Sequence, residues 1–567
     1  MDNQRLLVWG AFVMLLWFAY QAWMQDYGPA PVQPTVVTQP TDPTEPADAA
    51  DSISLPEIGD APAEVPAGSL PGDTPAVVED SEQTIRVITD VLDLEISTRG
   101  GTLVQATMLD YPVHKDQPDE LIELLSRERH DLGLVRTGLR SATGPSADHN
   151  VVFSAPKTEF DLGGNDELVV PLTWIGENGL IVEKRLAFGR GSYAIGVEQT
   201  ITNNSAEPWR GDQYTQLLRR SRGRERSMFD VDSYSFDGPI TYNGEKAEKL
   251  ERDDLQKDGA VDYATSDGWV AAIQHHFLTA VVPEPNAQHV FRVEVAGDTM
   301  IASVVGAKQT VEPGASHTFN RMLFVGPKSQ AQLSELHERL KLTVDYGWLT
   351  ILSQPMFWLL AFIYQYVGNW GVSIILVTII IKLVFYKLTE SSGRSMAKMR
   401  NLQPRVKALQ ERYKDDKQAQ SQQMMELYKR EKVNPAAGCL PILIQMPFFL
   451  AFYWVLVESV EMRQASFAFW ITDLSSRDPY FILPLIMGAA MLLQQKLNPA
   501  PADPVQARVM QIMPIMFTGF FAFFPSGLVL YWVTNTVLSI AQQWKINKVV
   551  EQEAATPKGG KKHKSKE

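Results

Sequence analysis

The 567-residue chain has one cysteine, Cys439, set in an apolar run. No disulfide can brace the large polar part of the chain, so its stability has to come from a packed core. Between Asp26 and Glu82 there is no Lys or Arg and almost no aromatic residue after Tyr27, while Pro, Ala, Thr and acids abound. Such a stretch buries too little to fold, and 26–83 reads as a disordered tether. Also missing are a Walker phosphate loop, a Ser-His-Asp pattern and any cluster of residues at metal-ligand spacing. The sequence therefore predicts no enzyme, no catalytic residue, no metal and no cofactor.

What is present is sorted by charge. Residues 26–345 hold 27 Lys and Arg against 51 Asp and Glu, whereas the remainder holds 25 against 15. An acidic polar portion argues against nucleic-acid binding there, and a basic remainder beside apolar helices suits a face near anionic phospholipids. Leu6 to Met24 is a nearly uncharged apolar stretch after Arg5, long enough to cross a ~30 Å hydrocarbon core. A cleavable signal peptide is the alternative, but its apolar core is usually shorter and ends at a small-residue site. Residues 1–25 are expected to be an N-terminal transmembrane anchor.

From about Ile85 the chain alternates, as in Leu92-Asp93-Leu94-Glu95-Ile96, which is the period of half-buried strands. Leu180 to Phe188, His289 to Val295 and Met300 to Val305 continue the pattern between Gly, Asn and Pro turns. We expect an all-β antiparallel sandwich with a helical C-terminal part, spanning 84–345. The basic run Arg219 to Arg226 reads as a loop without a site. Residues 346–368 are rich in Trp, Tyr and Phe and are expected to form an interfacial helix.

Five further apolar runs follow: Asn369 to Leu388 (domain 369–388), then Gly438 to Val457, Tyr480 to Leu497, Val509 to Phe524 and Gly527 to Gln542 (domain 438–544). Arg394 to Lys432 carries eleven Lys and Arg and the tail from Lys545 seven, whereas Glu458 to Pro479 has only Arg463 and Arg477. By the positive-inside rule both termini are cytoplasmic and the sandwich is periplasmic. The fold class is thus an α-helical polytopic membrane protein with six transmembrane helices, five of them forming a core bundle, plus an all-β periplasmic sandwich. The last two runs are short and are expected to thin the bilayer locally.

Lys382 is the informative residue, because it ends the apolar run Ile374 to Ile381 inside the cytoplasmic half of a span. A charge in a span costs about 2.5–3.5 kcal/mol near its centre, so it snorkels, pairs or lines a wet cavity. Periodicity alone leaves snorkelling and a hydrated groove both open. Thr378, Gln445, Thr518 and Asn535 are candidates for polar lining of the same cavity.

Residues 389–437 read as a cytoplasmic helical hairpin: Met396, Met399, Leu402, Val406 and Leu409 form one stripe, Lys414 to Asp416 a turn, and Met424, Leu427 and Tyr428 the return. Met396, Met399, Arg400 and Met424 are its candidate partner contacts. The basic tail, 545–567, suits salt-sensitive contact with ribosomal RNA or anionic lipid, or serves only as a positive-inside anchor.

Asn434-Pro435-Ala436-Ala437-Gly438-Cys439-Leu440-Pro441, leading into Gln445-Met446-Pro447-Phe448-Phe449, resembles the third-span signature of YidC/Oxa/Alb-type insertases. Ser395-Met396-Ala397-Lys398-Met399-Arg400 and Phe524-Pro525-Ser526-Gly527 through Tyr531-Trp532 resemble the same family, and the tether and β domain resemble its Gram-negative branch. The resemblance implies a hydrophilic groove open to cytoplasm and lipid, closed to the periplasm, with a second-span cation at the position of Lys382. Many members carry Arg there; Lys keeps the charge but loses the guanidinium fork. It further implies client contacts near Met446, Pro447, Phe448, Phe517, Phe520, Tyr531 and Trp532.

The implied function is a membrane protein insertase and chaperone moving hydrophobic segments of nascent proteins from cytoplasm to inner membrane, alone or with the Sec translocon. Its implied partners are nascent membrane proteins, the ribosome through tail and hairpin, SecYEG with accessory Sec proteins, and anionic phospholipids. Two other classes stand beside it: a small-solute secondary transporter, which would show repeated halves and broken helices, and a periplasmic binding or scaffolding module on an anchor.

Overall fold

Period-two alternation from Thr84 onward is realised as strands whose inward residues are buried in turn, most regularly in Ala194–Asn203, where Ile195, Val197, Gln199, Ile201 and Asn203 face inward. The computed structural model describes residues 82–555, apart from 116, 143–144, 177, 221–235, 415, 432, 434–439 and 498–503. The expected anchor 1–25, nearly all of the tether, most of the Arg219 to Arg226 run, residues 434–439 of the signature and the tail beyond Ala555 lie outside the described residues. The chain divides into a β unit that runs to Asp345 and takes in Glu458–Val460, and a helical unit of Tyr346–Val457 and the residues from Glu461 onward.

The β unit holds two sheets among the described residues. The eight-stranded one runs Ala247–Lys249, Asp237–Tyr242, Trp269–Gln274, Phe277–Pro283, Ser316–Pro327, Ala194–Asn203, Leu180–Gly189 and Glu167–Ile175 in spatial order. The eleven-stranded one is centred on Trp209–Arg220, which pairs with Gly133–Ser141 on one side and Thr299–Val305 on the other. Pairing is antiparallel, as the alternation predicts, with one departure: Thr84–Ile88 pairs parallel with Glu159–Asp161. That bridge joins strands far apart in sequence, which no local pattern can reveal. Gly100 and Gly101 turn with φ of 69° and 61°, and a Cβ on Gly100 would overlap the backbone of His149, so the turn requires glycine.

The space between the sheets is not wholly apolar. Lys184 is fully buried, and its Nζ donates to Thr137 O at 2.8 Å and Thr137 Oγ1 at 2.9 Å on the opposite sheet. Burial holds its ammonium down at about 7 even though Asp148 opposes the shift. Arg219 pairs with Asp131 at 2.9 Å, both side chains about 95% covered, and Arg140 makes a two-pronged contact with Asp212 at 2.9 and 3.0 Å.

The helical unit comprises α1 (Thr350–Val367), α2 (Trp370–Val384), α3 (Tyr386–Asn401), α4 (Gln403–Arg412), α5 (Lys417–Arg430), α6 (Leu440–Glu458), α7 (Ile482–Leu497), α8 (Pro504–Phe521) and α9 (Ser526–Ala555). α1 is two-faced: Ser353, Met356, Phe357 and Leu360 are buried, and Ile351, Trp358, Phe362 and Tyr366 are exposed. Among the described helices only Gly347–Val367 is by itself long and apolar enough to cross a membrane, and α2 with α3 passes as a pair bent by 69°. The bend falls at Phe385, where the sequence turns from aliphatic to charged.

The expected span 369–388 breaks at Phe385, so that 386–388 belong to α3, and two further boundaries differ from expectation. The stripe from Met396 to Leu409 is not one helix, because Leu402 ends α3 and Pro404 opens α4, where its missing N–H costs nothing. The last helix does not stop at Gln542 but continues to Ala555. Ile546 and Val550, one turn apart, pack on Ala397 of α3 and extend the helix past its apolar run.

Candidate functional site: a small cavity around Lys382

Thr378 and Lys382 are four residues apart on α2, hence on one face, while Leu383 and Val384 beside them are exposed on the other. Tyr531, Asn535 and Ser539 repeat the same spacing on α9. α6 brings Gln445 and Phe448 to the third side. Thr378, Lys382, Gln445, Tyr531 and Asn535 are the polar part of the wall of a cavity of about 30 Å³, which Ile381, Phe385, Ile444 and Phe448 and, from α3, Leu388 and Thr389 complete. At the ~10–15 Å³ that one water needs, this is room for about two waters beside an ammonium.

Lys382 Nζ donates to Ser539 Oγ at 2.7 Å, and Ser539 donates in turn to the Asn535 carbonyl at 2.7 Å. Among the described residues Lys382 has no carboxylate partner, so hydroxyl oxygen and cavity carry its hydration. Asn535 Oδ1 is buried with no hydrogen-bond partner among the described residues, leaving an open acceptor near the same space. Gln445 Nε2 reaches Tyr531 Oη at 3.5 Å, the limit of a hydrogen bond.

The four polar candidates do not converge. Thr378, Gln445 and Asn535 meet Lys382, although Thr378 Oγ1 donates to its own helix at Ile374 O. Thr518 stands apart: it donates to Pro514 O at 2.7 Å and packs against Gly488 of α7. Ser539 went unnoticed in the sequence, where a serine inside a helix reads as a group bonded to its own backbone. The i, i+4, i+8 series with Tyr531 and Asn535 was the available signal.

The apolar candidates differ in access. Met446 on α6 and Phe520 on α8 are 41% and 54% exposed, and Phe448 lies against Phe385 with ring centres 5.2 Å apart. Tyr531 is buried and stacked on Phe452 at 4.7 Å, so it is cavity wall rather than an open contact. Trp532 packs between Phe449 and Phe521, and Phe517 meets Phe521 at 6.0 Å. Pro447 lies within α6, removing one backbone donor beside Met446. In the hairpin Met396, Met399 and Met424 are half-buried and Arg400 is exposed.

The α2 end remote from Lys382 is tied down. Asn369 Oδ1 caps α2 by accepting from Val372 N, and its amide donates to Phe467 O at 2.8 Å. The segment before α7 is fastened through Asp478, which accepts from Trp470 Nε1 at 3.1 Å and Leu483 N at 2.7 Å. Ser526 N and Gly527 N, at the start of α9, donate to Ser476 O and Leu474 O.

Residues 84–359 match the family described as YidC periplasmic domain, and residues 362–553 the family described as 60Kd inner membrane protein. The membrane protein insertase YidC of Nitrosococcus oceani is 47% identical over 558 residues, covering 98% of this chain and 100% of that protein. That of Thioalkalivibrio sulfidiphilus is 46% identical, covering 99% of this chain and 100% of its own. A solved structure described as an active YidC insertase with its first transmembrane domain resolved is 19% identical, with a TM-score of 0.39, covering 82% of this chain and 92% of that one. Identity near one half, sustained through the β and the helical unit alike, leaves one assignment: the chain belongs to the YidC family of membrane protein insertases.

Proposed function

We propose that this chain inserts hydrophobic segments of newly made proteins into the inner membrane, using the cavity around Lys382 as a halting place for their polar flanks. The observation that carries the reading is the ammonium turned to Ser539 Oγ beside a small cavity whose largely apolar wall carries Thr378, Gln445 and Asn535, on a helix whose neighbouring aliphatic side chains Leu383 and Val384 face outward. A polar flank entering the span region loses water, and a hydrated cation with open acceptors replaces part of that hydration. The apolar segment then passes Met446, Phe448 and Phe520, whose aromatic and thioether surfaces tolerate varied sequence, and leaves for lipid. Burial of ~20 apolar residues at about 25 cal/mol per Å² drives the step without nucleotide hydrolysis.

The topology that goes with this function has six spans, cytoplasmic termini, an interfacial α1, a periplasmic sandwich and a cytoplasmic α3–α5 hairpin. The charge asymmetry of the loops supports it. The hairpin and basic tail would face the ribosome, anionic phospholipids and, where it takes part, the SecYEG channel with its accessory proteins.

The decisive comparison is Lys382→Ala against Lys382→Arg in purified proteoliposomes fed an insertion client. The Arg variant retains insertion and the Ala variant loses most of it; equal insertion by Ala and wild type removes Lys382 from the mechanism. A secondary transporter would instead move solute in the same vesicles. A periplasmic binding module would lose its whole function on deletion of residues 84–325, whereas an insertase keeps insertion.

A further inference from the structure

The segment that leads into α7 carries no charge from Ala465 to Thr472, and near its middle stands Phe469, 92% exposed. The backbone of Phe469 lies in the left-handed region, with φ of 54°. Glycine or asparagine takes that conformation readily, whereas a bulky side chain is strained there.

The surroundings hold the strain in place. Phe467 N donates to Ile471 O at 3.0 Å and Ile471 N to Ala468 O at 3.1 Å, which closes the turn 467–471 with Phe469 at its tip. Asn369 Nδ2 fixes Phe467 O from α2 at 2.8 Å, and Asp478 fixes the Trp470 indole at 3.1 Å. The Phe469 ring stacks on Trp470 with centres 6.0 Å apart. A single exposed apolar side chain is ordinary by itself. One kept at a strained φ by a braced turn is a different matter, because the fold sustains both the strain and the exposure at the same residue.

Lipid is the cover that fits. α7 exposes Leu485 and Ile486 near its start, and Tyr480 and Phe481 just before it are exposed as well. The hydrocarbon-facing surface of the helical unit therefore continues onto this segment as aromatic side chains, the composition of a bilayer interface. The nearest carboxylates are turned to protein donors: Asp473 accepts from Gln464 N and from the hydroxyls of Ser475 and Ser476, and Asp478 is buried against Trp470 and Leu483 N. The tip offers a bilayer no charge to desolvate.

We infer that Phe469 is an anchor in the outer leaflet, its ring seated at the boundary between headgroups and acyl chains. The inference rests on the topology proposed above, in which this segment faces the periplasm. The braced turn transmits the hold to α2 and α7, and so sets the depth of that rim in the bilayer.

The test compares single cysteines at Phe469 and Arg477 in the full chain carrying Cys439→Ser. Both positions are exposed on the protein. In nanodiscs of phosphatidylethanolamine and phosphatidylglycerol, a charged maleimide should modify Phe469→Cys about tenfold more slowly than Arg477→Cys, since lipid excludes the reagent and disfavours the thiolate. Bimane on Phe469→Cys should be quenched strongly by lipids bearing a nitroxide high on the acyl chain, and bimane on Arg477→Cys weakly. Ala468→Cys, which leaves Phe469 in place, should show the same slow modification and quenching, and thermal unfolding in detergent checks that each variant is folded. Slow modification without quenching means that protein covers the tip, and overturns the proposal. Equal modification rates in nanodiscs, with Arg477→Cys reached from outside in spheroplasts, overturn the anchor alone. Failure of the reagent to reach Arg477→Cys in spheroplasts overturns the topology and the outer-leaflet assignment together.

Discussion

Lys382 and Ser539, 157 residues apart, meet at 2.7 Å across α2 and α9, and the serine hydroxyl donates its own hydrogen bond to the Asn535 carbonyl. The hydroxyl oxygen therefore presents a lone pair to the ammonium, which fixes where the charge sits in the cavity.

Ser539→Ala removes that acceptor and leaves the charge. A hydrogen bond to a charged group contributes about 1.5–3 kcal/mol, part of which water in the cavity restores. Insertion in proteoliposomes should slow by roughly three- to tenfold, less than in Lys382→Ala, since each tenfold is about 1.4 kcal/mol. Ser539→Thr, which restores the hydroxyl, should recover most of the rate. If Ser539→Ala inserts as fast as wild type, the serine does not position the lysine.

The sandwich should gain stability with rising pH through Lys184. Its ammonium is lowered to about 7 by burial, while an unfolded chain titrates near 10.4. Between those values the unfolded chain holds a proton that the folded domain does not, so folding strengthens as pH rises, by at most about 1.4 kcal/mol per pH unit. Below pH ~7 the contribution is at its minimum and flat. Denaturant unfolding of the sandwich in the full chain, compared at several pH values from neutral to 9, should show the rise in wild type and a flatter profile in Lys184→Met. Parallel profiles would assign the pH dependence to other groups.

Gly488 on α7 and Thr518 on α8 are in closer contact than any Cβ allows, since a methyl on Gly488 would overlap Thr518 Oγ1. Gly488→Ala should destabilise the helical unit by about 1–3 kcal/mol, the usual cost of overpacking. Thr518→Ala should be nearly neutral alone and should relieve much of the loss in the double variant. Thermal unfolding in detergent measures all three, and strict additivity of the two single effects would contradict the contact.

Asp478 holds Trp470 and the first turn of α7 at once. Asp478→Ala should cost about 2 kcal/mol or more, as a lost helix cap together with a freed indole N–H. Limited proteolysis should then cut between Phe467 and Phe481 faster than in wild type. Asp478→Asn keeps one acceptor oxygen and should fall between the two.

The sequence displayed much of this architecture because burial leaves a period. Leu92, Leu94 and Ile96 alternate with Asp93 and Glu95, and so Leu92–Ser97 could be placed as a strand without any partner in view. The break at Pro404 was also visible, yet the apolar stripe from Met396 to Leu409 runs through it and suggests a continuous helix. Interior cations such as Lys184 and Arg321 were hidden, because a charged residue at an inward strand position is indistinguishable in one sequence from an irregularity in the alternation. Lys382 was conspicuous for the opposite reason, standing alone after Ile379, Ile380 and Ile381. Its partner was not, since the pairing joins helices separated by most of the helical unit.

The fastenings at Asn369, Asp478, Ser526 and Gly527 all gather at one rim of the helical unit. At the opposite end α3 turns by 69° at Phe385, and many residues of α4 and α5 are exposed. α3 itself is held to α9 by Ile546 and Val550 on Ala397 and by Gln542 and Gln543 on the Tyr386 and Gly393 carbonyls, so thermal fluctuation should be largest in α4 and α5. Loosening should begin at α4 and α5 and stop short of the fastened rim.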